Sequence, residues 1–483
     1  MPVFYSVLSL LPIVLLLLVS LLKGVKAGIY SGFAVTIALF FIWDSQLIAF
    51  PAALIAAFIN TMTILMIVFG ALLLHQNMEQ VGFITQIKNS LTTTHTDKKF
   101  QFYFLAFFLT AFFESVSGFG TPGAIVPLLL ISLGFSPITS IVVVLLIDGL
   151  FAITGAVGTP VIAGFEGTLD LSDDQIRKIY FYASCFMIVS GSIILFFIEN
   201  ILKKQGYKKG THGWKLFFCI AIPYVCLSYF LKELTGVVAS AIMGVFAYFF
   251  LFTNRKLAWK PWFPYVILIV LLLLPKIIPP LKSIVSFSLP FNNILESSVS
   301  TSFQPFRSPL FPFIIAAICA ALLGKSSKTN LKPVFNKIAT IFIILFPSLA
   351  ITQLMLSSGS EMPSMVSSMS SLFTKTGAAY PILSPFIGVV GTFITGSTTV
   401  SNIIFGSVQY NAAENLSLSK EIILAMQLNG GSLGNAICLF NIIAAAAVAG
   451  VSKYVSILQK TILPIVIATL ATSILGMILL AVL

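Results

Sequence analysis

Apolar stretches of roughly 20 residues, separated by short polar turns, recur along this chain from one end to the other. That length matches the hydrocarbon core of a bilayer. The stretches do not alternate apolar and polar residues at period two, so they are not strands of a membrane barrel. Lipid offers an open backbone no hydrogen-bond partner, which leaves helices. The first stretch, Val3 to Leu22, has no charged residue ahead of it and no small-residue cleavage site, and reads as a span rather than a removable signal. A helical hairpin is expected at 216–232 and 235–252, with further spans at 263–280, 308–324 and 461–482. The predicted fold class is an all-α polytopic membrane protein with about 12–14 transmembrane helices.

Charge in the turns gives the spans a direction. Lys23 and Lys26 follow the first stretch, Asp44 the second, and Lys88, Lys98 and Lys99 the third. The turn at 165–178 opens acidic, with Glu166, Asp170, Asp173 and Asp174, and Lys203, Lys204, Lys208, Lys209 and Lys215 follow the next span. Lys325, Lys332 and Lys337, then Lys453 and Lys460, complete the alternation. Cytoplasmic turns carry the excess of lysine, so the lysine-rich turns face inward and both termini face outward. Lys276 and Arg307 lie near span ends, where long basic side chains snorkel to the interface. The segment 281–306 is the longest outward loop. It divides the chain into an N-terminal half, 1–280, and a C-terminal half, 307–483, expected to be pseudo-symmetric.

Composition narrows the class. Hydrophobic residues make up 58% and charged residues 9%, against about 25% charged in soluble domains, so no large soluble domain is hidden here. The net charge of +12 is explained by the inward turns and does not point to nucleic acid. Cys185, Cys219, Cys226, Cys319 and Cys438 lie in apolar stretches without a CxxC pair, and read as small buried hydrophobes. His75 and His95 are assigned to an inner loop and His212 to a basic one, without metal-ligand spacing. No cofactor or metal is expected, and the expected surroundings are membrane lipid.

Two regions, 101–164 and 380–450, interrupt the pattern. The first contains Glu114-Ser-Val-Ser-Gly-Phe-Gly-Thr-Pro-Gly123 and the second Thr395-Gly-Ser-Thr-Thr-Val-Ser-Asn402. Such runs of glycine, proline and hydroxyl residues do not hold a straight helix. Backbone opened at mid-bilayer depth survives only where it lines a cavity or meets a ligand. Helix N-termini there carry partial positive charge and free donors, which suits a carboxylate. Ser117, Gly118, Gly120 and Thr121 are therefore binding candidates, as are Gly396, Ser397, Thr399, Ser401 and Asn402, the last three also for a 2-hydroxyl group. Secondary breaks are expected at Gly155–Pro160 and at Asn429–Asn435, which adds Asn429, Gly430 and Gly431. Small residues also mark close helix packing, but paired breaks in two halves point to a transporter's central site. Glu114 and Asp148 stand inside apolar runs, and carboxyl groups so placed are candidates to carry a proton. The alternative for each is a buried structural hydrogen bond.

The same residues carry a resemblance. Glu114-x-x-x-Gly118-Phe-Gly-x-Pro122, Leu133-Gly-Phe-x-Pro137, Ser384-Pro-Phe-Ile-Gly388, Thr395-Gly-Ser397 with Ser401-Asn402, and Gly430-Gly431-x-x-Gly434 resemble the L-lactate permease family. The likeness extends more loosely over most of the chain. It implies a bacterial cytoplasmic-membrane symporter that couples lactate, or related 2-hydroxy acids such as glycolate, to protons. It also implies kinship with ion transporters built from inverted repeats and re-entrant hairpins. The chain departs from the family pattern at Thr398, where an Asp is usual, at Asn435, where a Lys is usual, at Cys438–Asn441, and at Asp148, where an Asn is usual. The functional expectation is a secondary active transporter of lactate or a related small monocarboxylate, with protons as coupling ion. Its rivals are a sodium-coupled or exchanging carrier of another organic anion, a channel, and an integral membrane enzyme.

Overall fold

In the computed structural model the chain is predominantly helical. The structure describes residues 3–91, 95–118, 120–207, 211–255, 258–285, 287–303, 305–306, 310–325 and 330–482. Phe119, Lys208, Lys209 and Arg307 lie outside the described residues, as does the side chain of Lys276. Among the described residues seven helices are long and apolar enough to cross a membrane, and five shorter apolar helices accompany them. Large apolar side chains such as Phe230, Phe250, Leu322 and Ile474 stand exposed on the outside, as expected of surfaces that face lipid. The hairpin appears as His212–Leu231 and Thr235–Phe246.

Twelve helices position the site. They are α1 (Ala49–Gln80), α2 (Lys98–Val116), α3 (Thr121–Ser132), α4 (Pro137–Phe151), α5 (Gly155–Ile162) and α6 (Asp173–Lys204). The chain continues through α7 (Lys332–Leu356), α8 (Tyr380–Thr395), α9 (Thr398–Asn415), α10 (Lys420–Gly434), α11 (Leu439–Val448) and α12 (Tyr454–Val482). Local chemistry sets their ends. The Asp97 carboxylate accepts from the Lys99 and Phe100 N–H groups to cap α2. Ser172 and Gln175 form a capping box on α6, whose first turn holds Asp173 and Asp174 and whose last holds Lys203 and Lys204, matching the helix dipole. Ser136 and Ser419 cap α4 and α10 by accepting from the Thr139 and Ile422 N–H groups.

The order of elements repeats. In α2–α6 and again in α8–α12, a helix breaks into a second helix, turns into a third, breaks into a short fourth and ends in a long fifth. The two sets interlock, because α6 packs on α10 and α12 packs on α4. Around them lie two hydrophobic cores. The larger is built on α2–α6 and α10–α12. The smaller joins the first residues of the chain, α1, α7 and the buried face of α9. Each core draws on both ends of the sequence.

The 281–306 segment, expected as a plain loop, contains a two-stranded antiparallel hairpin. Its strands are β1 (Leu289–Phe291) and β2 (Thr301–Phe303), with Leu289 opposite Phe303. It is pinned to α1, where the Thr301 hydroxyl donates to Asn60 Oδ1 at 2.9 Å. Asn60 and Gln353 amides both donate to the Gly167 carbonyl beneath it.

On the lysine-rich side, Lys99 Nζ meets Glu199 Oε2 at 3.0 Å, and Tyr103 donates to Glu199 Oε1 at 2.6 Å. Both charged side chains are nearly buried, at 11% and 7% exposure. Removing one partner strands the other charge out of water. Lys99→Met is therefore expected to cost about 3 kcal/mol, read as a lower thermal midpoint in detergent. The double variant Lys99→Met/Glu199→Gln is expected to recover part of that loss.

Candidate functional site

Two helix breaks from distant parts of the chain meet at one cavity. α2 ends at Val116 because the chain reverses through Gly118 (φ 57) and Gly120 (φ 77), left-handed conformations that glycine adopts at little cost. Pro122 then starts α3, where its missing N–H is harmless. A Cβ at Gly118 would lie 3.0 Å from Ala156 Cβ. In the second break, Gly396 (φ 74) closes α8, and extended Ser397 caps α9 by accepting from the Val400 N–H at 3.3 Å.

A third break follows α4. A 3-10 turn at Ala152–Thr154 leads into Ala156, Val157 and Gly158, all left-handed at φ 42, 53 and 81. Ala156 and Val157 carry a Cβ that opposes this geometry. The fourth interruption differs from expectation. Asn429, Gly430 and Gly431 stay inside α10, which remains helical to Gly434, and the backbone opens only at Asn435–Cys438. The glycines there serve packing: a Cβ on Gly430 would lie 2.0 Å from the Pro385 carbonyl, and one on Gly431 would lie 3.1 Å from the Thr398 methyl.

The cavity has a volume of about 500 Å³. One side is formed by Gly118, Gly120 and Thr121, by Gly155, Ala156, Thr159 and Pro160, and by Gly396–Thr399. Asn435 and Asn441 close that side. The lining is completed by α1, with Leu72 and His75, and α7, with Asn336, Lys337, Thr340 and Ile341. His75 thus lies within α1 and on the cavity, not in a loop. The two intramembrane acids share the cavity. Glu114 and Asp148 are each 6% exposed, and their carboxyl groups are close enough to interact directly. Among the described residues Asp148 Oδ1 has no hydrogen-bond partner. Glu114 Oε1 lies against Gly155, where a Cβ would approach it to 2.5 Å.

Glu114, Asp148, Gly118, Gly120, Thr121, Gly396, Ser397 and Thr399 therefore come together at the cavity. Other candidates do not line it. Ser117 is buried and its hydroxyl donates to the Phe113 carbonyl at 2.9 Å. Ser401 donates to the Gly388 carbonyl at 3.1 Å. Asn402 Nδ2 donates to the Pro160 carbonyl at 3.0 Å. Asn429 Oδ1 accepts from the Thr472 hydroxyl at 2.9 Å. The bonds of Ser401, Asn402 and the Asn429 carbonyl oxygen hold neighbouring elements together, and that of Ser117 closes the last turn of α2.

Behind the second break runs a buried amide chain that sequence reasoning missed. Gln427 Nε2 donates to Ser401 Oγ and Asn402 Oδ1, both at 3.2 Å, and its Oε1 accepts from Gln409 at 2.9 Å. Gln409 in turn donates to the Ser384 carbonyl and accepts from the Tyr380 hydroxyl. Neutral amides in apolar stretches were the available signal. Asn336, Lys337, Thr398, Asn435 and Asn441 were likewise not singled out as site residues, and their common feature is position opposite or beside a break.

A sequence model of the L-lactate permease family matches residues 5–483, which is nearly the whole chain. The chain belongs to the L-lactate permease family. It is 29% identical over 480 residues to a putative L-lactate permease of Haemophilus influenzae, covering 88% of each chain. It is 23% identical over 503 residues to the L-lactate permease of Escherichia coli K12, covering 91% of this chain and 89% of that one. The glycolate permease of the same organism is 23% identical over 513 residues, with 92% and 90% covered. As a member of the L-lactate permease family, with apolar helices throughout, the chain is a multi-pass protein of the bacterial cytoplasmic membrane.

In this family member, Asn402 ties α9 to the third break. Asn402→Ala leaves the Pro160 carbonyl and part of the Gln427 amide unpaired in a buried place. The expected cost is about 1–3 kcal/mol, measured as a lower thermal midpoint of the purified protein.

Proposed function

We propose that this chain is a secondary active transporter that carries lactate, or a related small 2-hydroxy monocarboxylate, across the cytoplasmic membrane by proton symport. One observation carries the reading: breaks at 117–120 and 396–397 converge on a single polar cavity that is also lined by two carboxyl groups, Glu114 and Asp148. The substrate carboxylate binds at the N-terminal turns of α3 and α9, around Thr121 and Thr399, where helix dipoles and backbone donors favour an anion. Ser397 or Thr399 meets the 2-hydroxyl. Ser401, Asn402 and Asn429 act from behind, by fixing the helices that present those turns. The halves 1–280 and 307–483 supply two breaks each, and the interlocked sets α2–α6 and α8–α12 exchange the cavity between the two faces.

Glu114 is the primary proton carrier and Asp148 its partner. Two adjacent carboxyl groups resist ionising together, so the pair is suited to accept and release a proton as the substrate's negative charge arrives and leaves. The relatives named as lactate and glycolate permeases support this substrate class. A sodium-coupled carrier of another organic anion is the rival, since carboxyl oxygens also suit hard cations.

Uptake of radiolabelled lactate and glycolate into proteoliposomes separates the two. A pH gradient is expected to drive accumulation and a sodium gradient to leave it unchanged; the reverse result would replace the proton with sodium. Glu114→Gln is expected to abolish pH-driven uptake while protein still reaches the membrane. Asp148→Asn is expected to retain a measurable part of it. Full pH-driven uptake by Glu114→Gln refutes the assignment.

A further inference from the structure

The charges around the cavity do not, by themselves, suit the ligand proposed above. Glu114 and Asp148 bring two carboxyl groups into a space meant for an anion, and the helix ends offer only partial positive charge. One lysine lines the same cavity. Lys337 stands in the second turn of α7 and lines the cavity together with the breaks. Thr340 and Ile341 follow at i+3 and i+4 and line the cavity beside it, so this is the face that α7 turns inward. Among the described residues Lys337 forms no ion pair. Its charge reaches the His75 ring across from it on α1. Lys332, on the same helix, is exposed and does not line the cavity.

We propose that Lys337 is an anion-binding residue of this cavity, holding the substrate carboxylate at the lysine-rich, cytoplasmic mouth while His75 and Thr340 supply further hydrogen bonds. The proposal rests on the transport reading above and deepens it by naming the residue that offsets the negative charge of the carboxyl pair. Geometry gives it a direction. Lys337 and His75 come from α7 and α1, which pack on each other, while Glu114 and Asp148 come from α2 and α4, which also pack on each other. The anion on the cytoplasmic side therefore rests between a fixed cation on one wall and a proton-carrying pair on the other. When the pair is ionised it repels the carboxylate, and Lys337 receives it at the mouth. Lys337 is itself solvent-exposed, which limits its strength and confines its influence to the face on which it opens.

The test uses the full-length protein in oriented membrane vesicles, with radiolabelled L-lactate exchange measured from each face. Lys337→Gln is expected to raise the half-saturating lactate concentration about three- to tenfold in inside-out vesicles, with the maximal rate and the value in right-side-out vesicles unchanged. Lys337→Arg is expected to retain wild-type saturation, and Lys332→Gln to behave as wild type. Raising ionic strength should narrow the gap between wild type and Lys337→Gln. An unchanged half-saturation in inside-out vesicles, an equal rise from both faces, or the same effect in Lys332→Gln overturns the assignment. A lysine that only orients the spans would change the amount of protein in the membrane and not this asymmetry. If wild-type vesicles show no saturable lactate or glycolate exchange, the transport reading fails and this inference with it; saturable wild-type exchange that Lys337→Gln leaves intact defeats the inference alone.

Discussion

A backbone opened within a bilayer must find partners inside the protein, and this requirement organises the molecule. Each broken helix frees N–H and C=O groups that lipid will not satisfy. The chain answers by bringing the interruptions at 117–120, 155–158, 396–397 and 435–438 to the same region. Around them, hydroxyls and amides are spent locally: Ser397 caps α9, Thr398 donates to the Gly431 carbonyl, and Asn402 reaches the Pro160 carbonyl. The cavity is what remains where the breaks meet and no helix fills the space.

Much of this was legible in the sequence, for reasons that differ by element. Span-length apolar runs announce membrane helices because bilayer thickness fixes their length. Gly118, Gly120, Gly396 and Pro122 announce breaks because their backbone preferences are intrinsic. The run Asn429–Asn435 misled because glycines that permit close packing look the same as glycines that break a helix. In α10 they lie against Pro385 and Thr398, and only the three-dimensional neighbours separate the two uses. His75 was placed in a loop because histidine and the polar residues after it resemble a span end, whereas α1 continues to Gln80.

Other features could not be read from spacing at all. Glu114 and Asp148 are a full helix and a turn apart in sequence, and their contact arises because α4 crosses α2 beyond the first break. The chain of Tyr380, Gln409, Gln427 and Asn402 runs through three helices and depends on how α8, α9 and α10 interlock. The 289–303 hairpin was hidden by its brevity, since strands of three residues leave little alternation to detect.

The left-handed run Ala156–Gly158 links the outside of the protein to its centre. Each of its two non-glycine residues costs on the order of 1–2 kcal/mol to hold there. The neighbours that hold it are packed so closely that a Cβ on Gly158 would lie 2.3 Å from Glu233 Cβ and 2.7 Å from the Tyr180 hydroxyl. Glu233 sits in the turn Lys232–Leu234, where Lys232 is also left-handed and pairs with Asp173 at 2.5 Å. Asp173 pairs in turn with Arg177, at the start of α6. A small cluster of charges at the rim thus acts as a clamp on a tensed strip of main chain, whose other end, Gly155, abuts Glu114. Loosening the rim would let that strip relax, and the carboxyl group of Glu114 would feel it.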